Sequence, residues 1–452
     1  MLRTGATGQV PDLAMPWQEV VCEVVPPVMR ETHRDHPFTG DETRARVPRD
    51  RRVPGRMGTL QERGVDFERL RGERLEKVQV EMASRDIGAL LLTDTINIRY
   101  TTGISVMPLW TATNLAHYVL VPATGSPVVF EMACARFRAE EFFSDVRNAY
   151  HWQARFAEQM APERSAEWAS EIQSLLREWD VADEKVGVDC LDYYGFTALQ
   201  SQGLRLADAD ELIEAARKIK TPDEIQLLRQ SAAICEAALY DVQQAIRPGV
   251  SEHELLGVFQ QRLISLGGEH CFTRMLATGH RTNPWFQEAS SKLVRPGDLV
   301  AFDTDATGPE GYICDVSRTF LCGDRPTPDQ REAYRVAHDF VQEVAARLRP
   351  GLAYEDLVED LPDYPPAYGE QRYPYVLHGI GSDDEPPFLA FPDEPGVEKP
   401  EGEFRENMVV SVEFYAGAVG GQDGVKLEDE VWVGPDGPVM LSLYPYEEVF
   451  LS

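Results

Sequence analysis

Apolar side chains in the first half of the chain follow helical and strand-like spacing in turn. Residues 66–84 mix apolar and charged positions at the intervals of an amphipathic helix. The run 87–92 is rich in apolar residues and predicts a buried strand. Further strands are predicted at 118–121, 127–131 and 185–189, and a further helix at 166–179. Strands that alternate with helices predict an α/β domain that ends near residue 215.

The second half contains three strong helix starts. In each of them a capping Ser or Thr is followed three positions later by Glu or Gln, the pattern of a capping box. The pairs are Thr221 with Glu224, Ser251 with Glu254, and Thr327 with Gln330. Strand-like runs lie at 299–302, 313–320, 408–414 and 430–433. Helices mixed with antiparallel strands predict an α+β domain.

Residues 1–60 differ in composition from the rest of the chain. They are rich in proline and charge, and they carry a cluster of arginines: Arg44, Arg46, Arg49, Arg51, Arg52 and Arg56. We expect an extended or poorly ordered N-terminal arm. A basic arm that touches a partner subunit or nucleic acid is the alternative. The predicted domains are therefore an arm at 1–60, an N-terminal domain at 61–215 and a second domain at 216–452.

Charge and cysteine usage narrow the class of protein. The chain has 44 Lys and Arg against 75 Asp and Glu, a net charge of −31, which disfavours nucleic-acid binding and mildly favours cationic ligands. No apolar run reaches the roughly 18 residues of a membrane span. The seven cysteines are scattered and form no CxxC pair, which indicates buried thiols in a reducing compartment. A cytoplasmic enzyme without a nucleic-acid or membrane partner is expected.

Three aspartates lie on two neighbouring strand-like runs. Asp303 and Asp305 are two apart, so both point to the same face of a strand. Asp315 follows ten residues after Asp305, as in a hairpin whose second strand returns beside the first. Three carboxylates on one sheet face repel one another unless a cation neutralises them. Solvent-facing acids are the alternative, but the apolar neighbours disfavour it.

Other residue types that bind metals follow at wide spacing. They are His378, Glu413 and Glu428, and Glu413 lies inside an apolar strand-like run. A glutamate in such a run is unfavourable unless it is paired or bound to a metal. Five carboxylates and one imidazole match a site for one or two divalent ions. Oxygen-rich ligation favours iron, manganese or cobalt over a cysteine-bound zinc.

Three motifs resemble the creatinase/aminopeptidase P/methionine aminopeptidase superfamily. They are GYxxDxSRTF at 311–320, HGIG at 378–381 and KLEDEV at 426–431. The resemblance implies an α+β fold in which a pita-bread catalytic domain with a dinuclear metal site follows a creatinase-type α/β N-terminal domain. It also implies that Asp303 or Asp305, together with Asp315, His378, Glu413 and Glu428, takes the metal positions.

The chain departs from the peptidases of that superfamily in two ways. Their first two metal aspartates are eleven residues apart, and the corresponding position here is Thr304, which Asp303 and Asp305 flank. The peptidases also use two further histidines in proton transfer and substrate binding. The segment 382–386 contains no histidine, and Trp285 or Phe286 stands where the other is expected. The departures predict a different reaction on the same scaffold.

The metal-dependent dimethylsulfoniopropionate lyases of marine bacteria have the same departures. Segments that resemble them are 97–100, 109–110, 281–288, 302–305 and 426–429. This resemblance implies that all six metal-type residues are ligands: Asp303, Asp305, Asp315, His378, Glu413 and Glu428. It implies that Asp384 is the base, that Tyr373 binds substrate, and that Trp110 lines the substrate pocket across a homodimer. Trp285 is a further candidate for cation–π contact with the substrate.

The implied reaction is the β-elimination of dimethyl sulfide from a small zwitterionic substrate, which leaves acrylate. One or two divalent transition-metal ions are implied, iron first, with manganese, cobalt and zinc also compatible. An Xaa-Pro dipeptidase or aminopeptidase is the alternative, disfavoured by the missing histidines. A non-catalytic pita-bread binding module is disfavoured by the complete set of ligands, and an enzyme acting on another small carboxylic acid stays open.

Overall fold

The structure is a computed structural model that describes residues 64–397 and 399–452, so the predicted arm at 1–60 lies outside the described residues. Across these two ranges, no helix has the length and apolar character needed to cross a bilayer.

The N-terminal domain alternates helices and strands, as the apolar pattern predicts. In chain order its elements are α1 (Phe67–Ser84), β1 (Ile87–Leu92), α2 (Thr95–Thr102), α3 (Pro108–Thr111), β2 (Tyr118–Pro122), β3 (Val128–Glu131), α4 (Arg136–Ala139), β4 (Val146–Asn148), α5 (Ala154–Ala157), α6 (Ala161–Glu178), β5 (Lys185–Val188), α7 (Tyr193–Ser201), β6 (Arg205–Asp208) and α8 (Asp210–Lys218). The helix predicted at 166–179 begins earlier, with Pro162 in the first turn of α6, where proline is well tolerated.

One mixed sheet forms the centre of this domain. Its strand order is β4-β3-β2-β1-β5-β6, with β1 parallel to β5 and antiparallel to β2. Helices α1 and α8 cover one face through Val78 and Leu212. Helices α6 and α7 cover the other through Trp168 and Leu199. Because helices pack on both faces, β1 and β2 are apolar along their whole length rather than alternating.

The second domain combines long helices with antiparallel strands. Its elements are α9 (Pro222–Ala245), α10 (Glu252–Ser265), β7 (His270–Cys271), β8 (Met275–Thr278), β9 (Leu299–Thr307), β10 (Ile313–Leu321), α11 (Pro328–Arg347), α12 (Tyr354–Glu359), β11 (Tyr375–Ile380), β12 (Asp384–Ala390), β13 (Val409–Gly417), β14 (Gly424–Gly434), β15 (Gly437–Met440) and α13 (Glu448–Leu451). All three capping boxes are present, at the starts of α9, α10 and α11.

Two antiparallel sheets in the second domain face each other. One has the order β10-β9-β7, with β8 also paired to β9, and the other has the order β12-β11-β13-β14-β15. Helices α9 and α10 cover the outer side of the first sheet, and α11 covers that of the second, where Phe340 packs on Phe414. The hydroxyl of Ser317 on β10 donates to the carboxylate of Glu428 on β14 at 2.6 Å. Polar side chains therefore lie between the two sheets. The combination of helices with antiparallel strands confirms the α+β expectation.

Candidate metal centre

The hairpin of β9 and β10 brings the three predicted aspartates together. Strand β9 continues past the predicted end at 302 to Thr307, so Asp303 and Asp305 lie within it. Asp305 pairs across the strands with Asp315, and Asp303 pairs with Ser317. All three aspartates are buried, at 4–5% exposure. The two-residue spacing therefore predicts their shared face correctly.

The facing sheet supplies the imidazole and the two glutamates. Glu413 on β13 pairs with Glu428 on β14, and His378 lies on the adjacent strand β11. Nε2 of His378 is 3.3 Å from Asp315 Oδ2 and 3.8 Å from an oxygen of each glutamate. Nδ1 lies 3.0 Å from the carbonyl oxygen of Gly379. That contact orients the ring so that Nε2 faces the carboxylates, an arrangement typical of metal-binding histidines.

Three sets of side chains have ligand atoms within 4.8 Å of one another. The sets are Asp315, His378 and Asp384; His378, Glu413 and Glu428; and Asp303, Asp315 and Glu428. Five of the six predicted ligands belong to these sets, and Asp305 lies opposite Asp315 on the hairpin. Their role as ligands stays a prediction.

Burial and mutual repulsion shift the protonation of these groups. Burial raises the pKa of Asp305 and Asp315 well above the usual range, and neighbouring carboxylates add to the effect. Burial likewise raises the pKa of Glu413 to about 8. For His378, burial opposes the charged form, but Asp384, Glu413 and Glu428 outweigh it and raise the pKa to about 9. A bound cation would relieve the same repulsion that protons relieve in its absence.

Lys426 is a member of this cluster that the sequence analysis missed. Its Nζ lies 2.8 Å from Glu413, 2.9 Å from Glu428 and 3.3 Å from Asp303. Burial alone would raise the pKa of Glu428, but Lys426, His378 and the bond from Ser317 lower it to about 2. The sequence spacing could have predicted this position, because Lys426 stands two residues before Glu428 and so shares its strand face.

The donor atoms present fit a divalent metal. Glu413 Oε1 and Asp384 Oδ1 are buried, and within the described part of the chain neither has a hydrogen-bond partner. Buried carboxylate oxygens normally have such partners. Oxygen donors with one imidazole nitrogen suit iron, manganese or cobalt. The unsatisfied oxygen of Glu413 beside His378 is therefore consistent with a metal centre.

Asp384 occupies the opposite side of the imidazole from the glutamates. It lies at the start of β12, and its Oδ1 is 3.7 Å from His378 Nδ1. Its side chain is 40% exposed, whereas those of Glu413 and Glu428 are 3% and 1% exposed. Burial raises its pKa, and the nearby His378 lowers it only in part. Asp384 therefore combines access to solvent with proximity to the buried acids.

The predicted aromatic residues lie in three different environments. The ring of Tyr373 is 5.6 Å from Lys426 Nζ and stacks on Phe286 at 5.4 Å. Trp285 is 7% exposed and stacks on Tyr415, whereas Phe286 is 64% exposed. Trp110 lies on α3 of the N-terminal domain and is 6.3 Å from Phe156. Tyr373 is thus beside Lys426 of the acidic cluster. Trp285 is buried in a small apolar cluster with Tyr415. Trp110 contacts Phe156 within the N-terminal domain.

Comparison with known proteins identifies the family. The sequence matches the Creatinase/Prolidase N-terminal domain over residues 74–219 and Metallopeptidase family M24 over residues 226–435. It is 31% identical to dimethylsulfoniopropionate lyase DddP of Roseovarius nubinhibens, over 86% of this chain and 89% of that protein. The chain therefore belongs to metallopeptidase family M24, and the predicted pita-bread fold with a creatinase-type N-terminal domain is confirmed.

Peptidases of the family are also similar to the chain. The Xaa-Pro dipeptidase of Pyrococcus furiosus is 28% identical over 52% of this chain and 65% of that protein. The solved structure of the Xaa-Pro dipeptidase from Bacillus anthracis superposes with a TM-score of 0.68 at 24% identity, over 83% of this chain and 99% of that one. The solved structure shares the fold of this chain.

Proposed function

We propose that this protein is a metal-dependent carbon–sulfur lyase that releases dimethyl sulfide from dimethylsulfoniopropionate. The observation that carries the proposal is Asp384, a partly exposed carboxylate with an unpaired oxygen beside a buried acidic centre. A carboxylate there can take a proton from carbon, whereas the peptidases of the superfamily have a histidine in this segment. Similarity to a dimethylsulfoniopropionate lyase over most of both chains supports the same reaction.

The chain's own residues divide the work of the elimination. The six predicted ligands would hold one or two divalent ions, which when bound supply Lewis acidity toward the substrate carboxylate. Asp384 takes the proton from the carbon next to that carboxylate, and its raised pKa makes it a stronger base. The C–H electron pair becomes the new C=C bond as the C–S bond breaks. Dimethyl sulfide leaves with the C–S pair, acrylate remains, and the proton passes from Asp384 to solvent.

Tyr373 and Phe286 suit a sulfonium group. The ring of Tyr373 stacks on that of Phe286 and lies 5.6 Å from Lys426 Nζ, which pairs with Glu413 and Glu428. A compact cation over an aromatic face gains about 0.5–2 kcal/mol. Burial raises the pKa of the Tyr373 hydroxyl, so the group stays protonated and able to donate a hydrogen bond. Phe286 has φ 71°, an unfavourable backbone conformation for a non-glycine residue. The chain thus holds an exposed ring where a cation would bind.

Phe286→Ala should raise KM for dimethylsulfoniopropionate about 5- to 30-fold, the equivalent of losing about 1–2 kcal/mol of cation–π binding. Because Phe286 stacks on Tyr373 and is neither the candidate base nor a predicted ligand, kcat should change much less. Steady-state kinetics of dimethyl sulfide release measure both constants. Phe137→Ala is the matched control, since Phe137 is 63% exposed on α4 of the N-terminal domain. An unchanged KM for Phe286→Ala would contradict the aromatic role.

We propose iron as the metal and the cytoplasm as the compartment. The predicted ligands are oxygen-rich, with a single imidazole, and such sets favour iron or manganese over a cysteine-bound zinc. The cysteines among the described residues are all free: Cys134, Cys190, Cys235, Cys271, Cys314 and Cys322. Free thiols fit a reducing compartment. Elemental analysis of protein purified from its native host tests the choice of metal.

We propose that a second copy of the chain completes the site with Trp110. An apolar patch surrounds this residue on the N-terminal domain, and its exposed members are Met107, Leu109, Trp110 and Phe156. Patches of this kind on soluble proteins commonly mark interfaces. A homodimer would cover the patch and bring Trp110 to the partner's acidic centre, where it could contact the sulfonium.

Mixing two inactive variants tests this arrangement. Trp110→Ala and Asp384→Asn should each be nearly inactive alone. After unfolding and refolding together, about a quarter of wild-type activity should return, because half of the dimers are mixed and each mixed dimer holds one intact site. If Trp110 acts within its own chain, both sites of a mixed dimer stay defective. Absence of restored activity, with mixed dimers verified by mass spectrometry, would contradict the proposal.

An Xaa-Pro peptidase is the second candidate, favoured by similarity to proteins named Xaa-Pro dipeptidase. The two functions differ in their products. A lyase forms dimethyl sulfide and acrylate in equal amounts, whereas a peptidase releases proline from Ala-Pro. Product analysis with metal-loaded protein therefore separates them.

A further inference from the structure

Glu385 is a buried carboxylate directly after the candidate base. It lies at the second position of β12 and is 1% exposed. Lys220 Nζ is 2.5 Å from its Oε2, and Arg217 Nε is 3.2 Å from its Oε1. Both cations are themselves buried, at 3% and 5% exposure. A three-charge cluster of this kind is costly to bury. Lys220 holds Glu385 through a hydrogen bond, whereas Arg217 Nε adds an ion-pair contact without one.

The two cations belong to the segment that joins the domains. Arg217 is near the end of α8, and Lys220 lies in the short link before α9. Lys220 also donates to the carbonyl oxygen of Arg217 at 2.8 Å, and its backbone N–H donates to Asn407 at 2.8 Å. Arg217 reaches Asn97 on α2 at 3.1 Å. The cluster therefore connects the N-terminal domain, the link and the catalytic domain.

The Glu385 carboxylate also closes the turn between β11 and β12. Its Oε1 accepts from the backbone N–H of Ser382 at 3.1 Å. A Cβ at Gly381 would clash with the same carboxylate unless the Glu385 side chain moved, so glycine leaves room for Glu385 in its observed position. The Gly381 N–H donates to Asp383 at 3.1 Å, and its carbonyl oxygen accepts from Ile313 on β10 at 2.9 Å. The turn that carries Asp384 is thus shaped around Glu385.

We propose that Glu385 is a positioning residue which, held by Lys220 and Arg217, fixes the turn that directs Asp384 toward the reacting carbon. The inference rests on the proposed function, since it takes Asp384 as the base. Removing the Glu385 carboxylate would release the Ser382 amide and leave two buried cations unpaired. Asp384 would then lose its fixed position relative to His378. A displacement of about 1 Å in a reacting group can lower the rate ~100-fold.

Three variants test the role of Glu385. Glu385→Ala should lower kcat for dimethyl sulfide release ~10- to 100-fold, with KM and bound metal close to wild type. Glu385→Gln should recover much of kcat, because its amide oxygen can still accept from Ser382 or Lys220. Lys220→Met should fall between them, since Arg217 still pairs with Glu385. The control is Asp223→Asn, a buried carboxylate at the same domain boundary that pairs with Arg69.

The controls separate positioning from general destabilisation. Asp223→Asn should lower the melting temperature but leave kcat unchanged. Hydrogen exchange of the 381–385 amides should rise in Glu385→Ala and stay at the wild-type level in Asp223→Asn, a readout that needs no substrate. If the wild type is active and Glu385→Ala has the same kcat, the positioning role alone is overturned. The same holds if Glu385→Ala loses kcat only in proportion to its loss of metal. A wild type that releases no dimethyl sulfide would overturn the proposed function and the positioning role together.

Discussion

Asp384→Asn should abolish dimethyl sulfide release while the protein keeps its metal. Asparagine has the same shape but lacks the negative charge and basicity that remove a proton from carbon, so we expect a loss of at least ~1000-fold. The metal should stay, because His378 presents Nδ1 to Asp384 and Nε2 to Asp315, Glu413 and Glu428. Asp384 also lies within 4.8 Å of Asp315, but the set of His378, Glu413 and Glu428 does not include it and stays intact in the variant.

The measurement combines headspace dimethyl sulfide with elemental analysis of the same sample. Asp360→Asn serves as control, since Asp360 is 87% exposed and pairs only with Arg347 among the described ion pairs. The control should match wild type in both readings. If Asp384→Asn loses metal in proportion to its activity, Asp384 is a ligand rather than the base. Retained activity would remove it from the mechanism.

Asp315→Asn should have the opposite profile, losing metal and activity together. Asp315 belongs to two of the three sets of close ligand atoms and pairs across the hairpin with Asp305. Its replacement removes a carboxylate whose pKa burial and the neighbouring carboxylates raise well above its usual range. We expect metal content far below wild type after dialysis and activity reduced more than ~100-fold.

Metal titration distinguishes this variant from the base variant. Excess metal should restore part of the activity of Asp315→Asn and none of that of Asp384→Asn. Asp324→Asn is the control, because Asp324 is 92% exposed just beyond β10. Full metal content in dialysed Asp315→Asn would exclude it from the ligand set.

Local spacing in the sequence predicts much of the acidic centre. The period of two puts Asp303 and Asp305 on one face, and the ten-residue interval matches the hairpin register with Asp315. The same rule applies to Lys426 and Glu428, but a lysine draws attention only once its acidic partners are known. Spacing within a strand therefore predicts which side chains share a face. It does not show that a positively charged residue such as Lys426 belongs to an acidic site.

Other features depend on contacts that no local pattern contains. Lys220 and Glu385 are 165 positions apart, and only the packing of the domains brings them together. Trp285 is 7% exposed and Phe286 is 64% exposed, a difference that their similar hydrophobicity does not indicate. The predicted role of Trp110 concerns a second copy of the chain. These residues need the tertiary or quaternary structure to be understood.

The most direct test gives metal-quantified wild-type protein dimethylsulfoniopropionate in one vessel and Ala-Pro or Gly-Pro in another. We predict dimethyl sulfide in the headspace with an equal amount of acrylate in solution, and no proline from the dipeptides. Proline release without dimethyl sulfide would contradict the lyase and identify a divergent Xaa-Pro peptidase on the same family scaffold.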